Sequence, residues 1–168
     1  MKIALLAALT LLAMGGAAAA SAGTPNAADR AFVDKVSQGG MFEVAAGKLA
    51  ETLGSTQDIR DFAAMEVHDH ALVGHKLDTL SSQDGLTFPD EADDAFRGKL
   101  DHLKTLSGPA FDQAYMGEMA ALHDADGAAF AKEAVDGGSA AFKAFGAETH
   151  VIVQRHLGAI HAAPPSGM

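Results

Sequence analysis

The sequence contains no cysteine. Disulfides, thiolate metal sites and cysteine nucleophiles are excluded together, so stability must come from packing, alone or with a ligand. Tryptophan is absent and tyrosine occurs once, while alanine and glycine abound and β-branched residues are sparse. Such a composition favours helix over sheet. Positive charge is short as well: 12 Lys and Arg stand against 22 Asp and Glu, for a net charge of −10. That balance argues against nucleic acid and anionic membrane surfaces as partners, and it is compatible with cations. No Ser-His-Asp order, phosphate-binding loop or glycine-rich nucleotide motif stands in a supporting context.

Long apolar runs are lacking too, except at the start. MKIALLAALTLLAMGGAAAASAG places one Lys before an apolar segment from Ile3 to Met14, then small residues and Ala20-Ser21-Ala22. This is the order of a secretory signal peptide, and its apolar core is short for a membrane span. Residues 1–22 are read as that signal and 23–168 as one mature domain, exported to the periplasm or beyond and free of the membrane after cleavage. About 145 residues suffice for a single core.

What the sequence does have is helical periodicity. Four long patterns stand out. The first covers 27–53, after Asn26 as a cap and before Gly54. The second covers 56–82, with Ser55 as cap and Asp58 in a capping-box position. SSQDGLTFPDEADDAF is rich in turn formers and leads to a short helix near 90–106, whose acidic DEADD run suits a helix start better than a calcium loop. The third long helix follows Ser107-Gly108-Pro109 and runs to Val135. The fourth is capped by Ser139 and closed by Pro164-Pro165. The first and last connections are tight, whereas the middle one takes about 25 residues. Two helical hairpins joined by a long crossover predict an all-α, ferritin-like four-helix bundle with a short extra helix in the crossover.

MEVHDHALVGH, residues 65–75, concentrates imidazole and carboxylate in a chain with eight histidines. At 100° per residue, Ile59, Phe62, Ala63, Val73, Leu77 and Leu80 draw the apolar face of the second helix. Glu66 and His70 fall in the middle of it and Asp69 on its shoulder, while His68 and His75 face solvent. On the first helix, Glu43 lies near the centre of the stripe Phe32, Val36, Gly39, Ala46, Ala50 and Leu53. On the third, Asp126 lies on the seam of Phe111, Tyr115, Met119, Leu122, Ala129 and Phe130, with His123 at its edge. On the fourth, His156 lies among Phe142, Phe145, Ile152, Val153 and Ile160, while His150 and His161 turn away.

Counted from the turns, these residues share a level. Glu43 is about eleven residues before the first turn and Glu66 about twelve after it, with His70 roughly 6 Å further along. His123 and Asp126 are about fourteen and eleven residues before the last turn, and His156 about eighteen after it. Three carboxylates (Glu43, Glu66, Asp126) and three imidazoles (His70, His123, His156) in a dry core need a common counter-charge. A divalent metal supplies it, and oxygen and nitrogen donors suit iron, zinc or manganese. Two functions follow. In one, the exported bundle binds that metal for metal handling or oxidant defence. In the other, it is a metal-free, non-catalytic periplasmic module whose surface binds a partner and whose buried network, such as His70 with Glu43 and His156 with Tyr115, only specifies packing.

GGMFEVAAGKLA (39–50), IRDFAAMEVHDHALVGHKL (59–77), FDQAYMGEMAALHDADGAAF (111–130) and QRHLGAI (154–160) together resemble the exported family known as domain of unknown function 4142. The matching motifs are Asp69-His70, Phe111-Asp112, His123-x-x-Asp126 and His156-Leu157. The resemblance implies a ferritin-like fold over nearly all of the mature chain. Glu66 stands where the family usually has an apolar residue, so its place in the site rests on the helical wheel.

Overall fold

The computed structural model describes residues 23–162; the expected signal segment and the expected Pro164-Pro165 stop lie outside the described residues. Within them the protein is all helical: α1 (Ala27–Leu53), α2 (Gln57–Gln83), α3 (Asp94–Lys104), α4 (Gly108–Asp136) and α5 (Ala140–Ala162).

The helix ends follow local chemistry. Asn26 caps α1 as expected: its side chain accepts from the amides of Ala28 and Asp29, and the Asp29 carboxylate accepts from the Asn26 amide. The cap of α2 is Thr56, whose hydroxyl accepts from the Ile59 amide, and not Ser55. Ser55 is diverted because both its amide and its hydroxyl donate to Asp112, pinning the first turn to the start of α4. α2 closes with the Gly85 amide on Ser82 O and the Leu86 amide on Ser81 O, a Schellman pattern that needs the positive φ of 67° at Gly85. α3 is shorter than the predicted 90–106. Asp93 caps it, and the two preceding acids stay outside. Ser107 makes no side-chain cap on α4, although Pro109 sits in the first turn as predicted. Ser139 does cap α5, accepting from the Phe142 amide.

Packing sets the directions of the four long helices. Phe32 meets Phe130 at one end of the α1/α4 pair, and Glu43 meets His123 further along, so these helices are antiparallel. Asp69 meets His156 and Lys76 meets Glu148, so α2 and α5 are antiparallel too. The tight turns make α1/α2 and α4/α5 antiparallel hairpins. α2 and α4 are therefore parallel, and the crossover between them runs the length of the bundle. α3 holds it against α1 by stacking Phe96 on Phe42, with the Asp93 amide on Gln38 and Lys99 on Glu118 of α4.

The core is divided in two. One cluster, around Phe42, Phe62, Phe111, Tyr115 and Met119, lies toward the α1/α2 turn. The other, around Phe32, Leu77, Phe130, Phe142 and Phe145, lies toward the α4/α5 turn. A layer of polar side chains separates them.

The second end is locked by an acid pair that sequence reasoning missed. Asp29 Oδ1 accepts from the Gly138 amide at 2.8 Å, and Asp29 faces Glu133 of α4. A Cβ at Gly138 would lie 2.4 Å from Asp29 Oδ2, so glycine is required there. Burial, then the bond to Asp29 and its charge, push the Glu133 carboxyl up to about 7. Burial also opposes the charge of Asp29, but the Glu133 proton and the amides of Gly138 and Asn26 hold its pKa below the ordinary value. A carboxyl whose pKa is raised by folding contributes stability that is complete below its unfolded value near 4.5 and lost as pH rises through about 7. Glu133→Gln copies the protonated form. Its melting temperature is expected to match the parent at pH 4.5 and to exceed it by a few degrees at pH 8, as read by thermal denaturation.

Candidate metal centre

The polar layer is built from four helices. Glu43 comes from α1, Glu66 and His70 from successive turns of α2, His123 and Asp126 from α4, and His156 from α5. All six are at most 5 % exposed. The helical wheel therefore placed every one of them correctly with respect to solvent, and His123 lies fully inside rather than at an edge.

Four of the six share one point. One ligand atom each from Glu66, His70, His123 and His156 lies within 4.8 Å of every other. Glu66 Oε2 is 3.2 Å from His70 Nε2 and 3.3 Å from His123 Nε2. His123 Nε2 is 3.0 Å from His156 Nδ1, which in turn is 2.9 Å from Glu66 Oε1. Zinc bonds of ~2.0–2.1 Å set tetrahedral donors about 3.4 Å apart. These four spacings fall just inside that and the other pairs of the set lie within 4.8 Å, so the donors enclose a space close to the size of an ion's coordination shell.

The outer ring nitrogens are all occupied elsewhere. His123 Nδ1 lies 2.8 Å from the Met119 carbonyl one turn back on the same helix. His156 Nε2 lies 2.8 Å from Asp69 Oδ2, and Asp69 is itself held by Arg155. His70 Nδ1 faces Glu43 Oε2 at 2.9 Å. A carbonyl or carboxylate can only accept, so each outer nitrogen carries the hydrogen when the ring is neutral. Each inner nitrogen then presents a lone pair. Three lone pairs and a carboxylate converging on one enclosed point repel each other unless something positive lies between them.

The unpaired atoms tell the same story. Both oxygens of Glu43, both of Glu66, His70 Nε2, Tyr115 Oη and Asp126 Oδ1 are buried without an aligned hydrogen bond. Glu66 and His70 are close enough for an ion pair, yet their atoms do not point along each other's bonds. Groups that share a central cation adopt this arrangement. Protons can fill the same role: burial disfavours a charged His70, but Glu43 and Glu66 outweigh it and raise its pKa to about 10. His123 is raised against burial by Glu66 and Glu43. Glu66 is held far below the ordinary carboxylate range by the three imidazoles, although burial alone would raise it.

Glu43 and Asp126 take other places than the four donors. Glu43 lies in the second rank, against His70 and 3.4 Å from His123 Nδ1. Asp126 stands one turn beyond His123, and burial, then the Glu43 charge, push its carboxyl up to about 7. Two sequence expectations are corrected. His156 does not pair with Tyr115, because both its nitrogens are taken and the Tyr115 hydroxyl has no partner. His150 does not turn away; Nδ1 reaches the Gly127 carbonyl of α4 at 3.1 Å. Asp69 was read as a shoulder residue and belongs to the site. Its place on the shoulder of the α2 face, one residue before His70, is the signal the sequence offers.

Orienting partners of a ligating histidine typically contribute 10–100-fold in metal affinity. Asp69→Asn is expected to weaken zinc binding by about that factor while leaving the helical content unchanged, measured by competition with a chromogenic chelator. Unaltered affinity would remove Asp69 from the site.

A family profile described as "Domain of unknown function (DUF4142)" matches residues 14–163, and the chain belongs to that family. No curated protein matches it. Among solved structures it is similar to a DUF305 fragment from Deinococcus radiodurans, with a TM-score of 0.72 at 10 % identity, covering 82 % of this chain and 95 % of that one. At that identity the likeness concerns the fold alone.

Proposed function

We propose that this chain is an exported, ferritin-like four-helix bundle that binds one divalent metal ion through Glu66, His70, His123 and His156, for metal handling or protection against oxidants outside the cytoplasm. The observation that carries the reading is the set of three imidazoles whose outer nitrogens are occupied and whose inner nitrogens converge with Glu66. Antiparallel neighbours and the long crossover between parallel α2 and α4 support the ferritin-like description. Three nitrogens and one carboxylate suit zinc or ferrous iron better than manganese, which prefers oxygen-rich sets. The signal segment supports export. Glu43 serves as the acceptor that orients His70, and Asp69 does the same for His156.

A bound ion would act as a Lewis acid at the centre of the bundle. The protein's own part is to fix three ring orientations, to supply one anionic ligand and to keep the layer dry. The purified mature domain, stripped with a chelator and reloaded, tests the reading. An ion held at a hundred times its Kd adds about 2.7 kcal/mol, which for a domain of this size is roughly 5–10 °C in Tm. One equivalent of zinc or iron by elemental analysis together with that shift is the expected result. A protein that neither retains nor responds to zinc, iron or manganese would overturn the proposal.

A further inference from the structure

Beside the metal centre, and sharing only His70 with its four donors, a cavity of about 330 Å³ opens between α1, α2 and the crossover. Its walls are mainly apolar, with Val36, Val73, Leu77, Phe88 and Phe130 among them. Its floor is not: Glu43, Asp126 and His70 reach it from three helices. Exposed His75 and Asp78 stand at the mouth. The volume is at the lower end of small-molecule sites, and walls of this kind with a few convergent polar groups are what such sites share.

Two observations bear on what could fill this space. Asp126 is 3 % exposed, yet its Oδ1 has no hydrogen-bond partner, and neither oxygen of Glu43 has an aligned one. The nearby cation Lys35 donates to the Ala125 carbonyl instead. Glu43 Oε2 still has His70 Nδ1 at 2.9 Å, so Asp126 Oδ1 is the acceptor without any protein donor, and a buried acceptor left unpaired costs about 1–3 kcal/mol. The second observation is Gly40 and Gly74. Both line the cavity, both sit in helix interiors, and a Cβ at either would meet nothing within 4 Å. Neither has a positive φ. Glycine in a helix interior costs roughly 0.5–1 kcal/mol relative to alanine, and packing does not require it at these two positions. A larger side chain at either position would project over the cavity, whereas the equally open Gly98, Gly117 and Gly158 lie away from it.

We propose that this cavity binds a small organic cation with an apolar body, its ammonium N–H groups donating to Asp126 and Glu43. A purely apolar ligand would leave those acceptors unpaired, and an anion would face two carboxylates. A second metal ion is disfavoured by the walls, and Asp126 and Glu43 are not among the donors that gather within bonding range of a common point.

The probe is hexylammonium, compared with hexanol and hexanoate by titration calorimetry on both the zinc-loaded and the chelator-treated full domain. Saturable binding of hexylammonium, at least tenfold tighter than hexanol and with no response to hexanoate, is the expected result. Asp126→Asn should weaken it by roughly ten- to a hundredfold, the range for a hydrogen bond to a charged group. Gly40→Leu and Gly74→Leu should abolish it while matching or exceeding the parent in Tm, since their Cβ atoms have room. These two keep the test decisive if Asp126→Asn fails to fold. Equal binding of amine and alcohol, or binding that survives Gly74→Leu, would overturn the proposal. So would slower zinc uptake in the two glycine variants without any amine binding, which would make the cavity the access path of the metal. Binding of the amine to chelator-treated protein leaves this inference standing even if no metal binds.

Discussion

Replacing Glu66 by Gln is expected to lower the affinity for zinc or ferrous iron by more than a hundredfold and to destabilise the metal-free domain by about 3–5 kcal/mol. The first part follows from charge. Glu66 is the one anionic member of the four-donor set, and a neutral amide is a poor ligand for either ion. Outer-rank partners alone are worth 10–100-fold, so a direct ligand stands above that range. The second part follows from the state the site adopts without metal. His70 then holds a proton against burial because Glu43 and Glu66 compensate it, and the same carboxylates favour the charged form of His123. Removing one partner from a buried ionic group leaves charge uncompensated. Urea unfolding with a chelator present, beside metal competition titrations, measures both parts. A variant that keeps metal affinity within a few-fold of the parent would show that Glu66 is not a ligand.

Much of this arrangement was legible in the sequence because helical period and burial are tightly linked. Glu43, Glu66, His70, Asp126 and His156 sit at apolar-face positions, and a residue there is turned toward the neighbouring helices and away from bulk water. Levels along the bundle came from counting residues from two tight turns, which works because rise per residue is constant. Direction was less legible. Asp126 and His123 share a helix and a face, yet a single turn separates a donor at the shared point from a carboxyl in the neighbouring cavity. Asp69 was legible only as a shoulder residue; what brings it in is α5 packing on that side, a tertiary fact. The cap of α2 moved from Ser55 to Thr56 for the same reason, since Asp112 of a distant helix competes for Ser55. His150 bonds a backbone carbonyl of its hairpin partner, which no side-chain pattern records.

The double substitution His70→Leu with Glu43→Leu separates a metal role from a packing role. The two side chains face each other at 2.9 Å and are both buried, so replacing them together removes one cation and one anion at once, while Glu66 keeps His123 and His156 as partners. Apolar replacement of such a pair is often neutral or stabilising by about 1–4 kcal/mol. Asp126 also loses the like charge that helps raise its carboxyl. The chelator-treated double variant is therefore expected to unfold at or above the urea midpoint of the parent. Its metal behaviour should be opposite: three donors remain, affinity falls by more than a hundredfold, and the roughly 5–10 °C rise in Tm on adding zinc disappears. Glu66→Gln loses both properties, and the double variant loses only one. If the layer existed for packing alone, neither the parent nor the variant would gain stability from zinc. Thermal scans of both proteins with and without the ion decide between the two.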